Sequence, residues 1–235
     1  MPYYGGYFGF DPIYLLVVIG ALLSMWASAR VNGTFQKYSG VRSRAGMTGA
    51  EAARQILHSQ GIYDVTVQAV RGQLTDHYDP RTKTVNLSEP VYASASVSAI
   101  GVAAHECGHA IQDNVGYAPL RLRAAFVPVA NLGSTLSWPL ILLGLVIGLT
   151  PFIQIGIWMF VLALLFQVIT LPVEFNASSR AVALLGQIGI LQGQEVEDTK
   201  RVLGAAALTY VAAVAASVLQ LLRLLILFGG RRRDD

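Results

Sequence analysis

Val102-Ala103-Ala104-His105-Glu106-Cys107-Gly108-His109-Ala110-Ile111-Gln112 is the stretch around which the rest of the chain is arranged. Its alanines, valine and isoleucine suit a buried helix, and on a helix residues four apart share a face. His105 and His109 therefore aim both imidazoles at one point, as a zinc site requires. Glu106, turned from His105 by about 100°, stands beside such an ion rather than on it, where it can take a proton from water. Gly108 leaves room for another element to pack close. Cys107 faces roughly 160° away from His105 and reads as packing, not as ligand or nucleophile. It is the chain's single cysteine, which excludes an internal disulfide. A buried helix with two hydrogen-bonded histidines is the plainer reading, but hydrolytic zinc chemistry also accounts for Glu106.

Outward from this stretch the composition turns apolar. Of 235 residues, 54% are hydrophobic and 13% charged, so several segments are expected to cross a bilayer. The net charge of +3 is scattered, with no basic tract interleaved with aromatics, which argues against a nucleic-acid partner. Apolar runs over Ile13–Val31, Leu132–Leu149, Phe152–Leu171 and Gly204–Phe228 are the expected spans, the last one spanning or lying along the others. Ala27-Ser28-Ala29 has the form of a signal-peptidase site. The preceding segment lacks positive charge and carries Asp11, so an uncleaved anchor is expected. Arg30, Lys37, Arg42 and Arg44 follow the first span, and Arg121 and Arg123 precede the second. By the positive-inside rule these flanks face the cytoplasm. Arg231, Arg232 and Arg233 then fall on the opposite side, against the rule, and Arg223 inside the last run must snorkel.

Between the first two spans lies a polar region. Thr48-Gly49-Ala50-Glu51 is a capping box opening a helix to about Ser59, with His58 as a packing or solvent-facing residue. Val65–Val70 alternates like a strand. Gly72–Tyr78 and Thr84–Ser88 predict a hairpin about Asp79-Pro80-Arg81-Thr82. Asp76, His77 and Asp79 make it rich in potential ligands, and His77 is expected to contact substrate or the site's surroundings. The strand Thr84–Ser88 is the expected docking edge for an extended peptide. Residues 97–113 form the motif helix, broken at Gly116-Tyr117-Ala118-Pro119. Pro172 starts or kinks a later helix, and Gln192–Arg201 reads as a short polar connection.

Zinc in hydrolases takes three protein ligands and leaves one position open. A longer histidine pattern would require Gly at 112 and His at 115, where this chain has Gln112 and Val115, so the third ligand is expected to be a carboxylate. Asp113 needs awkward geometry on the motif helix itself. Glu195, Glu197 and Asp198 read as a solvated loop. Glu174 lies just beyond an apolar span, where an unpartnered carboxylate is costly. It follows His109 by 65 residues, largely a membrane hairpin that returns the chain to the motif helix. Arg180, six residues on, suits a carboxylate, a substrate terminus or a lipid headgroup.

MTGAEAAR (47–54), LTDHYDPRTKTVNLSEPVY (74–92), GVAAHECGHAIQ (101–112), YAPLRLR (117–123), PVANLGS (128–134) and LPVEFNAS (171–178) together resemble the YugP-type family of bacterial membrane zinc metallopeptidases. The resemblance covers nearly the whole chain. It implies a zinc-dependent neutral peptidase with His105 and His109 as ligands and Glu106 as base. A remoter similarity to HtpX-type membrane gluzincins, whose third ligand is a glutamate after a transmembrane hairpin, supports Glu174. Those relatives carry aspartate four residues after the ligand, where this chain has Ser178, so support for the site is expected to be supplied differently here.

The expectation is thus a mainly α, integral-membrane helical protein with a zincin-like cytoplasmic catalytic core of active-site helix and small β-sheet. Its segments are an anchor (1–31), a catalytic region (32–130), a transmembrane hairpin (131–172), a third-ligand helix with its connection (173–204), and a C-terminal transmembrane helix with basic tail (205–235). The expected activity is gluzincin-type endopeptidase action on a peptide or membrane-protein substrate, with one catalytic zinc ion, in the inner membrane of a bacterium. The alternatives are an intramembrane site-2-type protease, though no later Asp-Gly ligand segment appears in a span, and a non-catalytic zinc-binding scaffold, which has no need of Glu106.

Overall fold

Long apolar stretches with no water to satisfy their peptide groups must close those hydrogen bonds internally, and here they do so as helices. The computed structural model describes residues 13–229, and four of its helices are long and apolar enough to cross a membrane. These are α1 (Ile13–Ser39), α5 (Ala118–Ile147), α6 (Thr150–Gln187) and α7 (Gln194–Phe228). Between α1 and α5 lie α2 (Gly49–Ser59), β1 (Thr66–Val70), β2 (His77–Asp79), β3 (Thr84–Ser88), α3 (Glu89–Tyr92) and α4 (Val97–Asn114). Asp11 and the Arg231–Arg233 tail lie outside the described residues.

The four long helices share one pair of ends. α5 and α6 form an antiparallel hairpin that reverses at Gly148, whose φ of +72° suits a residue without a side chain. α1 and α7 are also antiparallel. Near one end the Arg201 guanidinium donates to the Tyr38 hydroxyl (3.3 Å), and near the other Arg223 stacks 4.9 Å above the Tyr14 ring. This cation–π contact gives the half-buried Arg223 of the last apolar run an aromatic partner on α1. Ser217 of α7 donates to Gln167 of α6 (2.9 Å), joining the two pairs. The small α/β unit sits at the end where α1 finishes and α5 and α7 begin.

In that unit the capping box of α2 forms as the sequence predicts, with Glu51 N donating to Thr48 Oγ1 and Thr48 N donating to Glu51. The sheet order is β1-β3-β2, with β1 parallel and β2 antiparallel to β3. Ser96 caps α4 by accepting from Ala99 N. Almost every face of α4 is buried. Ala99, Ala103, Cys107 and Ala110 pack into a core with Ile56 and Leu57 of α2, Val85 and Leu87 of β3, and Ala181 and Leu185 of α6.

Several expected boundaries move. α1 continues past Val31 to Ser39, and α5 starts at Ala118, so Arg121 and Arg123 lie on its first turns. α6 runs unbroken through Pro172, which neither starts nor ends it. The hairpin strand is only His77–Asp79, and 72–76 is loop. The polar stretch expected as a connection, Gln192–Arg201, is mostly the beginning of α7, where Glu195 and Thr199 are buried. Strand Thr84–Ser88, expected as a free docking edge, is the central strand with both edges occupied; the free edges belong to β1 and β2.

Candidate metal centre

The site forms where α6 crosses α4. A Cβ built on Gly108 would lie 2.6 Å from the carbonyl oxygen of Ala177, so only glycine permits this approach of the two backbones. Ala177 is one helical turn beyond Glu174, and the crossing lays that carboxylate against the imidazoles. Glu174 Oε2 lies 3.3 Å from His105 Nε2 and 3.6 Å from His109 Nε2, and the two Nε2 atoms are 3.2 Å apart. The three side chains form a group able to hold a metal ion.

Ligands about 2.0–2.1 Å from a shared ion at tetrahedral angles stand about 3.3 Å from one another. The observed separations match that spacing. Glu174 Oε2 is buried and, among the described residues, has no hydrogen-bond partner. A carboxylate oxygen so placed is costly unless a cation meets it. Two neutral imidazoles and one carboxylate are also a donor set that zinc accepts. The residues present fit the ion.

Each member of the triad is oriented from behind. Arg123 Nη1 donates to Glu174 Oε1 at 3.1 Å, leaving Oε2 for the imidazoles. Gln112 Nε2 donates to Val173 O (2.8 Å) and Asn176 Oδ1 (3.0 Å), so its oxygen is left to accept from His109 Nδ1 at 3.0 Å. That bond puts the proton of neutral His109 on Nδ1 and turns the Nε2 lone pair toward Glu174. Ser178 Oγ stands 3.1 Å from His105 Nδ1, where its hydroxyl oxygen is able to accept a proton held on that nitrogen. Burial works against a charged His109, but a proton on its Nε2 would meet Glu174, and that interaction with the charges of Glu106 and Glu174 outweighs burial, so in the metal-free protein its pKa lies above the ordinary 6.5.

Two cavities meet at the triad. The larger, about 400 Å³, is lined by His77, Tyr78, His105, Glu106, His109, Arg123, Glu174 and Tyr210. The smaller, about 160 Å³, shares His105, Glu106, Glu174 and Tyr210 and runs toward α1 and α7. Glu106 thus borders both spaces in which a reacting group can sit.

The other candidates have separate places. His77 lines the larger cavity outside the triad. Its Nδ1 bonds Thr75 O at 2.8 Å and its Nε2 meets Asn86 Nδ2 at 3.2 Å, so neither nitrogen is left for a metal. Arg180 lies in neither cavity; its Nε donates to Asn176 Oδ1 (2.8 Å), the acceptor that Gln112 also uses. Asp113 takes Lys83 Nζ (2.6 Å) and the Tyr78 hydroxyl (2.9 Å). Burial would raise the Asp113 pKa, but those two bonds hold it below the usual carboxylate range. Far from belonging to a solvated loop, Glu195 is buried and accepts from Arg44 N at 2.8 Å. Cys107 is fully buried against Ala53 O, and burial pushes its thiol pKa up, as suits a packing residue.

Three residues at the site carried no signal that singled them out: Gln112, Arg123 and Tyr210. A glutamine on the motif helix one turn after His109 was the available clue for Gln112. Arg123 read as a membrane-flank charge, and Tyr210 as one aromatic within an apolar span.

Sequence comparison bears on the same region. A family described as "Putative neutral zinc metallopeptidase" matches residues 13–229. The chain is also 49% identical over 224 residues to the "Putative membrane protease YugP" of Bacillus subtilis (strain 168), covering 95% of this chain and 100% of that protein. No solved structure matches with significance.

Proposed function

The chain belongs to this family of neutral zinc metallopeptidases, and from that premise we propose that it is a gluzincin-type membrane endopeptidase with His105, His109 and Glu174 as zinc ligands and Glu106 as general base. The observation that carries the reading is the buried, unpartnered Glu174 Oε2 at 3.3 and 3.6 Å from two imidazole nitrogens, with Glu106 beside them. A zinc ion held by the three would polarise the scissile carbonyl and acidify water, bringing its pKa to about 7. The protein's own groups do the remainder. Glu106 receives the proton of the attacking water and returns it to the leaving nitrogen. Gln112 and Ser178 keep both imidazoles in the tautomer that presents Nε2. Arg123 holds one Glu174 oxygen so that the other stays in place.

The larger cavity takes the peptide backbone. β2 ends the sheet, and its His77 and Tyr78 line that cavity, so an extended substrate adds to β2 rather than to Thr84–Ser88. His77, held by Thr75 and Asn86, then faces the bound peptide as a substrate contact, while Arg180 acts at a distance through Asn176 and Gln112.

The active site faces the cytoplasm of a bacterial inner membrane. Lys37, Arg121, Arg123, Arg180, Lys200 and Arg201 all lie on the ends of the long helices that adjoin the α/β unit, and an excess of basic residues marks the cytoplasmic side. Substrates are peptides or membrane proteins reaching that face.

Glu106→Gln tests the reading. The variant should bind zinc with wild-type stoichiometry while peptide cleavage falls by roughly 10²–10⁴-fold, the range for loss of a general base. A variant that cleaves as fast as wild type would overturn it, as would a wild-type protein that binds no zinc.

A further inference from the structure

We propose that the smaller cavity beside the metal centre is an apolar subsite built by the membrane helices α1 and α7, and that it selects substrates carrying a leucine- or phenylalanine-sized side chain next to the scissile bond. The inference rests on the peptidase reading and states which peptides that site takes.

The cavity opens beside His105, Glu106 and Glu174, is bordered by Asp76, Ser178 and Tyr210, and is otherwise walled by apolar side chains. Its far walls come from Val31 and Phe35 of α1, Val202, Ala206 and Ala207 of α7, and Leu74 of the loop before β2. Its volume of about 160 Å³ is smaller than the roughly 300 Å³ at which pockets begin to hold whole small molecules, and suits a single side chain. Ala206 and Ala207 create the space, since longer side chains at these positions would fill it. No cation lines it to meet an acidic side chain. Its acidic members are already committed: Glu174 to Arg123 and the imidazoles, Glu106 to the reaction, and Asp76 to the Ser88 amide (2.7 Å) and hydroxyl. A charged substrate side chain pushed past them would lose its hydration with nothing in exchange, whereas a nonpolar one exchanges water for Phe35, Val202 and the α7 alanines.

The larger cavity shares His105, Glu106 and Glu174 with this recess and adds His77, Arg123 and the edge of β2. A peptide lying along β2 in the larger cavity therefore reaches this recess past the triad residues that the two cavities share. The residues shaping the recess belong to α1 and α7, so the membrane helices take part in substrate choice as well as anchoring the chain.

The test uses the full-length, zinc-loaded protein in detergent micelles and quenched fluorescent peptides varied at one position at a time. At one position flanking the cleaved bond, leucine or phenylalanine should be favoured over glycine, aspartate or lysine by roughly tenfold to a hundredfold, the range for filling an apolar pocket. Ala207→Leu should abolish that preference while cleavage of alanine-bearing peptides continues. Phe35→Ala should shift the preference toward larger aromatic side chains. Anisotropy of the same peptides bound uncut to Glu106→Gln should give the same ranking, which separates recognition from turnover. Zinc content reports folding of each variant, and the two substitutions alter the cavity in opposite directions, so either one alone decides. Efficient cleavage with no apolar preference, or a preference that neither substitution moves, overturns the subsite. A wild-type protein that holds zinc and cleaves no peptide in the set overturns the peptidase reading itself, and the subsite with it.

Discussion

Arg123 and Glu174 face each other across the α5–α6 hairpin, and the 3.1 Å bond from Arg123 Nη1 to Oε1 leaves the other carboxylate oxygen to the two imidazoles. The hairpin thus delivers the carboxylate proposed as third ligand and also the cation that fixes its rotamer. Replacing Arg123 by Met should weaken zinc binding about 10–100-fold, the usual cost of losing a group that orients a ligand. Competition with a chelator of known affinity measures this, and Arg123→Lys should recover part of it. Unchanged affinity in Arg123→Met would mean that the α6 backbone alone holds Glu174.

Gln112 is completely buried and joins His109 to both Val173 and Asn176. Gln112→Leu keeps similar bulk but leaves the buried His109 Nδ1 proton without an acceptor and removes the Gln112 donor from Val173 O and Asn176 Oδ1. Thermal unfolding in detergent should show a loss of about 1–3 kcal/mol, the cost of stranding buried polar groups, together with weaker zinc binding. Ser178→Ala should cost less, because Ser178 is only partly buried and water can take its place beside His105 Nδ1. Equal losses in the two variants would count against the tautomer argument.

The crossing at Gly108 makes a steric prediction. Gly108→Ala sets a methyl group 2.6 Å from the backbone oxygen of Ala177, and neither helix carries a flexible group there that can yield. Overpacking of this kind costs about 1–3 kcal/mol. Because Glu174 is carried on the same stretch of α6, zinc affinity should fall with the melting temperature. A variant of wild-type stability with normal zinc content would show that the crossing is looser than its geometry implies.

Local chemistry made part of this molecule readable. The Thr48–Glu51 capping box, the apolar runs and the i, i+4 histidines each depend on residues close together in the chain, and they stand where the sequence predicts. Glu174 was reachable because two spans must return the chain to its starting face. What stayed hidden was decided by distant partners. Gln192–Arg201 is polar enough to read as loop, yet Glu195 meets the Arg44 amide and Thr199 packs against Gly101, which makes it the opening of α7. β3 is central because β1 joins it in parallel from the far side, a pairing that no hairpin pattern announces. Arg123 carries the same side chain whether it flanks a membrane or orients a ligand, and only the neighbouring helix distinguishes the two.

Zinc and protons compete for His109, and the competition fixes a pH dependence. In the metal-free protein, Glu174 and Glu106 favour the imidazolium against the cost of burial, so the folded pKa lies above 6.5. A raised folded pKa means that the proton's contribution to stability is fully present below the unfolded value of about 6.5 and is lost as pH rises through the folded value. Zinc takes Nε2 only after that proton has left, so its own contribution grows over the same interval. The rise in melting temperature on adding zinc should therefore be smallest near about pH 6, increase with pH, and level off once the folded pKa of His109 is passed. Scanning fluorimetry with and without zinc across about pH 5.5–8.5 reads this directly. A zinc-dependent rise that is flat across the interval, or that shrinks toward high pH, would show that His109 does not surrender a proton to the metal.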